Sequence, residues 1–198
     1  MRIVTKAIAA LAVIGIISCL LLTNTRKSSA QDDNKLPKSI FIQAQAMGQS
    51  TQLGRTFSMN LLIEEYSTAD DQKALLEAFN QKQNEGLVNA LTKMHSKGRI
   101  SITGTLGYDV NYIRQFPMPD GGMRIRLVTN RPIRFGEAWS DSRSMDYSLS
   151  GAEIILSPDE KKNSGTLLPA CKFKIDKENQ LQLELLQNEW KLVNVRKR

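Results

Sequence analysis

The sequence predicts a mainly β fold, or an α+β fold in the wider sense. About eight to nine antiparallel strands form a meander that closes as a barrel or packs as a sandwich. Two observations predict this. Runs of alternating apolar and polar residues recur at roughly ten-residue spacing and are joined by short turns. Between the second and third run, residues 68–98 have helical periodicity instead, which predicts a helical hairpin inserted after the second strand.

The strands follow from the alternation within each run. In the first run, Ile40, Ile42, Ala44 and Ala46 share one face. The predicted strands cover residues 40–47, 55–66, 99–106, 110–116, 123–128, 147–156, 167–175, 181–185 and 190–195, with a brief run at 133–135. The alternation changes phase at Gly151, and a glycine at a phase change predicts a β-bulge.

Capping signals delimit the two predicted helices. Thr68 can accept a hydrogen bond from the backbone N–H of Asp71, and Asn84 can cap the second helix. Gly98 follows the second helix where a left-handed C-cap residue belongs. The apolar faces comprise Leu75, Leu76 and Phe79, and then Gly86, Leu87, Ala90, Leu91 and Met94. We expect the pair to cover an open face or end of the sheet, with a movable lid over a cavity as the alternative.

The first thirty residues resemble a targeting signal in composition. Arg2 and Lys6 precede an apolar run of 16 residues at positions 7–22, and Ser28 and Ala30 fit the −3 and −1 positions of a cleavage site. We therefore predict a signal peptide at 1–30, a flexible lead-in at 31–38 and a single globular domain at 39–198. The predicted location is exported, either periplasmic or extracellular.

Two other interpretations of this segment stay open. Cys19 ends the sequence Ile-Ile-Ser-Cys, which resembles a bacterial lipobox, so that Cys19 would be the lipidated residue of a lipoprotein. Against it, the apolar run continues through Leu22. An uncleaved N-terminal membrane anchor is the third interpretation, although 16 residues are short for a hydrocarbon core about 30 Å thick.

The charge balance argues against nucleic acid as a partner. The chain has 27 basic and 20 acidic residues, a net charge of +7. Residues 1–30 contain four basic residues and no acidic ones, so the remainder carries only +3, and the last three residues are all basic. The predicted folded body is therefore close to neutral, unlike a nucleic-acid-binding domain.

The sequence lacks the residues of several chemistries. It has one histidine, His95, and two cysteines, Cys19 and Cys171. Zinc sites with several Cys or His ligands, c-type haem and iron–sulfur clusters are thereby excluded, and no cofactor, metal site or catalytic residue is predicted. His95 is expected at a helix C-terminus, where the helix dipole favours it. Cys171 shares an apolar face with Phe173 and is expected to be a buried, inert thiol.

Two stretches are candidate binding sites. The first holds four arginines within eleven residues, which suit an anionic group such as a phosphate, a sulfate or a lipid headgroup: Arg124, Arg126, Arg131 and Arg134. The alternative is a solvated outer face on which these arginines pair with acids such as Glu137 and Asp141. The second stretch is an irregular polar and aromatic loop that could contact a ligand or a partner: Trp139, Asp141, Arg143, Asp146 and Tyr147.

Two functions from different classes remain. The chain is predicted to be a non-enzymatic envelope ligand-binding β-domain, whose ligand is an apolar molecule or an anionic small molecule inside or beside the sheet. The alternative is a structural or interaction module that docks on another exported protein through a sheet edge or through the loop from Trp139 to Tyr147.

Overall fold

The computed structural model describes residues 39–134, 147–178, 180–184 and 189–198, in which ten strands and one α-helix are present. In chain order they are β1 (Ile40–Gly48), β2 (Thr56–Ile63), α1 (Ala69–Lys93), β3 (Gly98–Ile102), β4 (Tyr108–Val110), β5 (Tyr112–Pro117), β6 (Met123–Thr129), β7 (Leu149–Leu156), β8 (Ser164–Ile175), β9 (Leu181–Glu184) and β10 (Trp190–Lys197). Of the brief strand predicted at 133–135, residues 133 and 134 are not in a strand, and residue 135 lies outside the described residues.

Nine of the strands form a nearly closed antiparallel barrel. Their order around the sheet is β4-β3-β2-β1-β10-β8-β7-β6-β5, and β9 pairs with β8 off this path. The first and last strands in this order, β4 and β5, are separated in the chain only by Asn111. The chain therefore pairs with β3 through β4 and, directly afterwards, with β6 through β5. The prediction of a mainly antiparallel β fold is confirmed.

The inside of the barrel is packed with apolar side chains. Trp190 and Leu192 of β10 lie opposite Leu167 and Gly165 of β8 in register. The buried residues of this inner core are Ile42, Ala44, Ala46, Met59, Leu61, Ile63, Ile100, Val110, Ile113, Ile125, Leu127, Ile133, Ala152, Ile154, Leu167, Trp190, Leu192 and Val195. They come from all nine barrel strands and from the segment after β6.

A second core lies on the outer face of the same wall. Leu127 belongs to the inner core, whereas its neighbour Val128 belongs to this outer core, because successive side chains of a strand point to opposite faces. The outer core joins α1 to the outer face of the wall and to β9: Leu75, Leu76, Phe79, Leu87, Leu91, Tyr112, Val128, Leu149, Leu168, Cys171, Phe173, Leu181 and Leu183. The helical segment thus covers a face of the sheet, as predicted.

The predicted helical hairpin is not supported, because the described residues contain one α-helix, but this helix is kinked within the predicted loop. Of residues 80–83, Lys82 and Gln83 have non-helical backbone angles, with φ values of −140° and +52°, and helical conformation continues on both sides of them. Asn84 does not cap a second helix. Its side chain donates to the carbonyl oxygen of Phe173 at 3.2 Å and accepts from the N–H of Phe173 at 2.7 Å, which holds α1 against β8.

The predicted N-cap of α1 is confirmed, and the predicted C-cap is wrong. Thr68 is the N-cap, as predicted, and forms a capping box with Asp71: the Thr68 hydroxyl accepts from the Asp71 N–H at 3.1 Å, and the Asp71 carboxylate accepts from the Thr68 N–H at 2.8 Å. The prediction of Gly98 as C-cap is wrong, since the helix ends with Met94 as C-cap and Gly98 begins β3. A Cβ at Gly98 would lie 2.1 Å from the carbonyl oxygen of Leu62, so the close approach of β2 requires glycine there.

The sheet is irregular where a bulge was predicted. The register between β7 and β8 shifts between Leu149 and Gly151. A Cβ at Gly151 would lie 2.4 Å from Cδ2 of Leu183 and 2.9 Å from Cζ of Phe173. Glycine at this position therefore leaves room for the β8–β9 pair to pack against the outer face of the barrel.

Candidate functional site

Arg126 is buried on the outer face of the barrel wall. It faces Glu153 across β6 and β7 and is 4 % exposed. Its Nε and Nη2 lie 3.0 and 2.8 Å from Oε2 of Glu153, and its Nη1 donates to the carbonyl oxygen of Leu181. The guanidinium carbon is 5.3 Å from the ring centroid of Phe116. Arg126 is therefore a structural residue that ties β6 and β7 to β9.

Arg124 lies on the same face of β6, where a groove opens. Its side chain is 42 % exposed, and its Nε is 3.5 Å from Oε1 of Glu153. The groove has a volume of about 470 Å³. It is lined by Arg124, Arg126, Lys174, Ile175, Asp176, Lys177, Glu178 and Gln182, and we call it the basic groove.

Cations outnumber the anions that remain available in the basic groove. Glu153 is engaged by Arg126, and the carboxylate of Asp176 accepts hydrogen bonds from the N–H groups of Glu178 at 3.1 Å and Gln180 at 2.7 Å, within its own turn. Among the lining residues this leaves the acid Glu178 against three cations, Arg124, Lys174 and Lys177. Charged nitrogens beside a partly buried groove are strong hydrogen-bond donors to carboxylate, phosphate and sulfate oxygens.

Arg131 and Arg134 do not join this groove. The guanidinium carbon of Arg131 is 5.6 Å from the ring centroid of Tyr108, the first residue of β4. The backbone of Arg134 donates to and accepts from the Tyr108 hydroxyl, at 3.0 Å in each direction. The four predicted arginines therefore form two separate pairs with different partners.

Most of the predicted ligand or partner loop lies outside the described residues. Trp139, Asp141, Arg143 and Asp146 lie outside the described residues, as does Cys19 at the N-terminus. Tyr147 is described, and the Nζ of Lys172 lies 4.9 Å from the centroid of its ring. The predicted ligand or partner loop stays a prediction.

A charged cluster that the sequence did not predict surrounds Lys97, which is 3 % exposed. The Nζ of Lys97 is 2.7 Å from Oε1 of Glu65, 3.5 Å from Oδ2 of Asp71 and 2.9 Å from Nε2 of His95. The Lys97 N–H donates to the carbonyl oxygen of Val110 at 2.7 Å. The cluster thus joins the end of β2, the first turn of α1 and the end of β4, next to the point where the barrel closes.

His95 lies at the C-terminal end of α1, as expected, and its ring also contacts a side chain that the sequence did not predict. Its Nε2 contacts Oε1 of Glu65 as well as the Lys97 ammonium. The residue follows the C-cap of α1, so it lies outside the helix. No local sequence signal links His95 or Lys97 to Glu65, which is about thirty positions earlier in the chain. Only the antiparallel pairing of β2 with β3 brings these residues together.

The Lys97 ammonium holds two carboxylates in their charged form. Its hydrogen bond to Glu65, followed by the contact of His95, lowers the pKa of Glu65. Burial acts to raise the pKa of Asp71, but the hydrogen bond from the Thr68 backbone and the charge of Lys97 outweigh it, so that the pKa of Asp71 is also lowered. These contacts tie the end of β2 to the first turn of α1.

Cys171 is buried in the outer core, as predicted. Burial raises the pKa of its thiol far above the ordinary value, so the thiol stays protonated at physiological pH. Within the described ranges, no group of three or more His, Cys, Asp or Glu side chains is arranged to hold a metal ion. In the same part of the chain, no helix has both the length and the apolar character needed to cross a membrane.

Comparison with known proteins gives no relative. The sequence matches no protein-family model, no curated protein and no solved structure. Any function therefore has to be argued from the geometry of the chain itself.

The two neighbouring arginines of β6 should differ in their effect on stability. Arg126→Ala is expected to lower the free energy of unfolding by about 3–5 kcal/mol, because it leaves Glu153 charged, partly buried and without its main partner. Arg124→Ala is expected to lower it by less than about 1 kcal/mol, because its guanidinium is partly exposed to water. Urea denaturation followed by circular dichroism measures both, and equal losses would contradict the buried position of Arg126.

Acid should weaken the fold through Glu65 and Asp71. Because both pKa values are lowered in the folded state, each carboxylate contributes stability that is fully present above its unfolded-state pKa of about 4 and is lost as the pH falls through the folded value. Lys97→Met removes a cause of both shifts. It should therefore make the dependence of unfolding free energy on pH shallower between about pH 5 and pH 3.

The matched control for this variant is Lys73→Met. Lys73 lies on α1 with an exposed side chain, 4.0 Å from Glu77, so its replacement should leave the slope of the wild-type protein unchanged. Urea denaturation at stepped pH gives the slopes. A Lys97→Met slope as steep as that of the wild type would show that Lys97 does not lower the pKa of either carboxylate.

Proposed function

We propose that the chain is a non-enzymatic ligand-binding β-domain of an exported protein, and that its ligand binds through an anionic group in the basic groove. The convergence of three basic side chains carries this proposal. Arg124 of β6, Lys174 of β8 and Lys177 of the turn after β8 all line the same groove. These three residues come from separate parts of the chain, and the fold places their positive charges in one groove.

The groove is suited in size and rigidity to a small ligand. Its volume of about 470 Å³ falls within the range of small-molecule sites, roughly 300–1,000 Å³. Arg126, the most buried of its basic lining residues, is fixed as a floor by hydrogen bonds to Glu153 of β7. A floor that is already ordered lowers the entropy cost of binding. The planar guanidinium of Arg124 can present two N–H groups to one carboxylate, phosphate or sulfate.

An apolar ligand inside the barrel has less support. The inward-facing side chains of all nine barrel strands pack against one another in the inner core. Residues of α1 pack on the outer face of the wall, in the other core, so the helix does not stand over the barrel interior as the lid interpretation requires. The proposal therefore favours the anionic ligand of the two that the sequence suggested.

Export is part of the proposal and depends on the sequence alone. Its support is the basic start, the apolar run at 7–22 and the small residues at 28–30. The lipoprotein interpretation through Cys19 and the uncleaved anchor belong to the same proposal as alternatives. Mass spectrometry of the protein from an exporting host would distinguish them by the mature N-terminus.

One observation favours the second candidate, an interaction module. Among the described strands, β9 pairs only with β8, and on its other edge the carbonyl oxygen of Leu181 accepts from Arg126 while no further strand is paired. An extended segment of another exported protein can add to such an edge by backbone hydrogen bonds. With four residues, β9 offers only a short edge, and this makes the module the less supported function.

Anion binding should depend on the exposed cations of the basic groove. The double variant Arg124→Ala, Lys174→Ala is expected to raise the dissociation constant for inorganic pyrophosphate at least about tenfold, because each charge-assisted hydrogen bond contributes about 1.5 kcal/mol or more. Isothermal titration calorimetry at low ionic strength measures the constant, and added salt should weaken binding to the wild type.

The control variant loses the same number of positive charges at positions outside the groove. Lys73→Ala with Lys82→Ala removes two cations from exposed positions of α1, away from the lining of the groove. This variant should bind pyrophosphate as the wild type does. The proposal fails if the two double variants lose affinity equally, or if the wild type binds none of pyrophosphate, sulfate and citrate.

A further inference from the structure

A second, smaller cavity adjoins the basic groove, and we call it the side cavity. Its volume is about 90 Å³. It is lined by Glu153, Thr166, Gln182 and Leu183. Gln182 lines both spaces, and Glu153 contacts Arg124 and Arg126 of the basic groove. A ligand whose anionic group lies in the basic groove therefore has the side cavity next to it.

The strand pairing explains why these side chains meet. Glu153 of β7 lies opposite Arg126 of β6 on one side and opposite Thr166 of β8 on the other. Directly paired residues share a face of the sheet, so Glu153 and Thr166 are on the outer face with Arg126. Strand β9 crosses this face and supplies Gln182 and Leu183, of which Leu183 is anchored in the outer core.

Three side chains of the side cavity have hydrogen-bonding capacity to offer a ligand. Within the described part of the chain, neither the Thr166 hydroxyl nor the Gln182 amide takes part in a hydrogen bond. Oε2 of Glu153 accepts both hydrogen bonds from Arg126, whereas Oε1 lies 3.5 Å from Nε of Arg124. Each oxygen of a carboxylate has two acceptor sites, so Oε1 can accept a hydrogen bond from a ligand.

The chemistry of the side cavity favours hydroxyl groups over charged groups. A ligand ammonium beside Glu153 would meet Arg124 and Arg126, which already offset the charge of this carboxylate, and a second anionic group would be repelled by the carboxylate itself. A hydroxyl is neutral, donates to a carboxylate and accepts from an amide or another hydroxyl. The volume of about 90 Å³ exceeds the roughly 10–15 Å³ that one water molecule needs, so the hydroxyl-bearing edge of a ring can enter.

We propose that the ligand is an acidic sugar, whose phosphate or carboxylate binds the cations of the basic groove while its ring hydroxyls enter the side cavity. This ligand class rests on the proposed function, because it concerns the same site. It adds Thr166, which lines the side cavity and not the basic groove, as a residue that determines specificity. A site that hydrogen-bonds a ligand hydroxyl discriminates against an analogue without it, because the polar groups of the site are then left unpaired.

Two matched pairs of compounds test the ligand class. Glucose 6-phosphate and cyclohexylmethyl phosphate have the same anionic group on a six-membered ring, with and without hydroxyls, and glucuronate and cyclohexanecarboxylate form the corresponding carboxylate pair. Isothermal titration calorimetry on the full chain should give, for at least one pair, a dissociation constant at least about tenfold lower for the sugar, because hydrogen bonds to charged and neutral groups of the side cavity are added. The pair that shows this preference identifies the anionic group as phosphate or carboxylate.

Two variants of Thr166 assign the preference to the side cavity. Thr166→Val removes the hydroxyl with little change of shape and should reduce the preference for the sugar by about threefold or more, whereas Thr166→Ser keeps a hydroxyl and should retain it. A wild type that binds pyrophosphate but binds both members of each pair equally, or a Thr166→Val variant with the full preference, overturns the acidic sugar and leaves the anion site standing. A wild type that binds none of these compounds and no pyrophosphate, sulfate or citrate overturns both.

Discussion

The buried ion pair of Arg126 and Glu153 is the interaction on which the outer half of the molecule depends. Arg126 uses its guanidinium on two elements at once: two nitrogens contact the Glu153 carboxylate on β7, and a third donates to the backbone of Leu181 on β9. A buried arginine that lacked these partners would cost several kcal/mol. The pair therefore requires β9 to lie across the barrel wall, and that position completes the outer core with Leu183 and brings Gln182 into the lining of the basic groove.

A wall that is apolar on both faces explains why one helix and one short strand suffice as cover. The inner face of β6 contributes Ile125 and Leu127 to the barrel interior, while its outer face passes from Arg124 and Arg126 to Val128 beneath the outer core. The same strand thus changes from polar to apolar along one face. The basic groove lies beside the polar part of this face, at Arg124 and Arg126. The cover formed by β8 and β9 ends there and leaves charged side chains partly open to water.

The alternation of apolar and polar residues predicted most strands and the antiparallel class, because apolar residues at every second position mark the buried face of a strand. It could not predict contacts that depend on distant pairing. The burial of Arg126 requires Leu181, 55 positions later, and the Lys97 cluster requires Glu65, 32 positions earlier. The count of helices differs for a local reason: Lys82 and Gln83 leave the helical conformation within the polar stretch 80–83, but helix resumes directly after them, so the break is a kink in α1. Of the candidate site, the sequence identified Arg124, but it gave no sign that Lys174 would lie beside it.

The central claim is that an anion binds where β6, β8 and the turn before β9 meet, and nuclear magnetic resonance tests it most directly. Titration of the isotopically labelled protein with inorganic pyrophosphate should shift the amide signals of residues 124–126, 174–178 and 182, which line or adjoin the groove. The signals of residues 99 and 108, beside the other cations, should stay in place. Movement centred on those residues, or no saturable movement at the groove, would contradict the account.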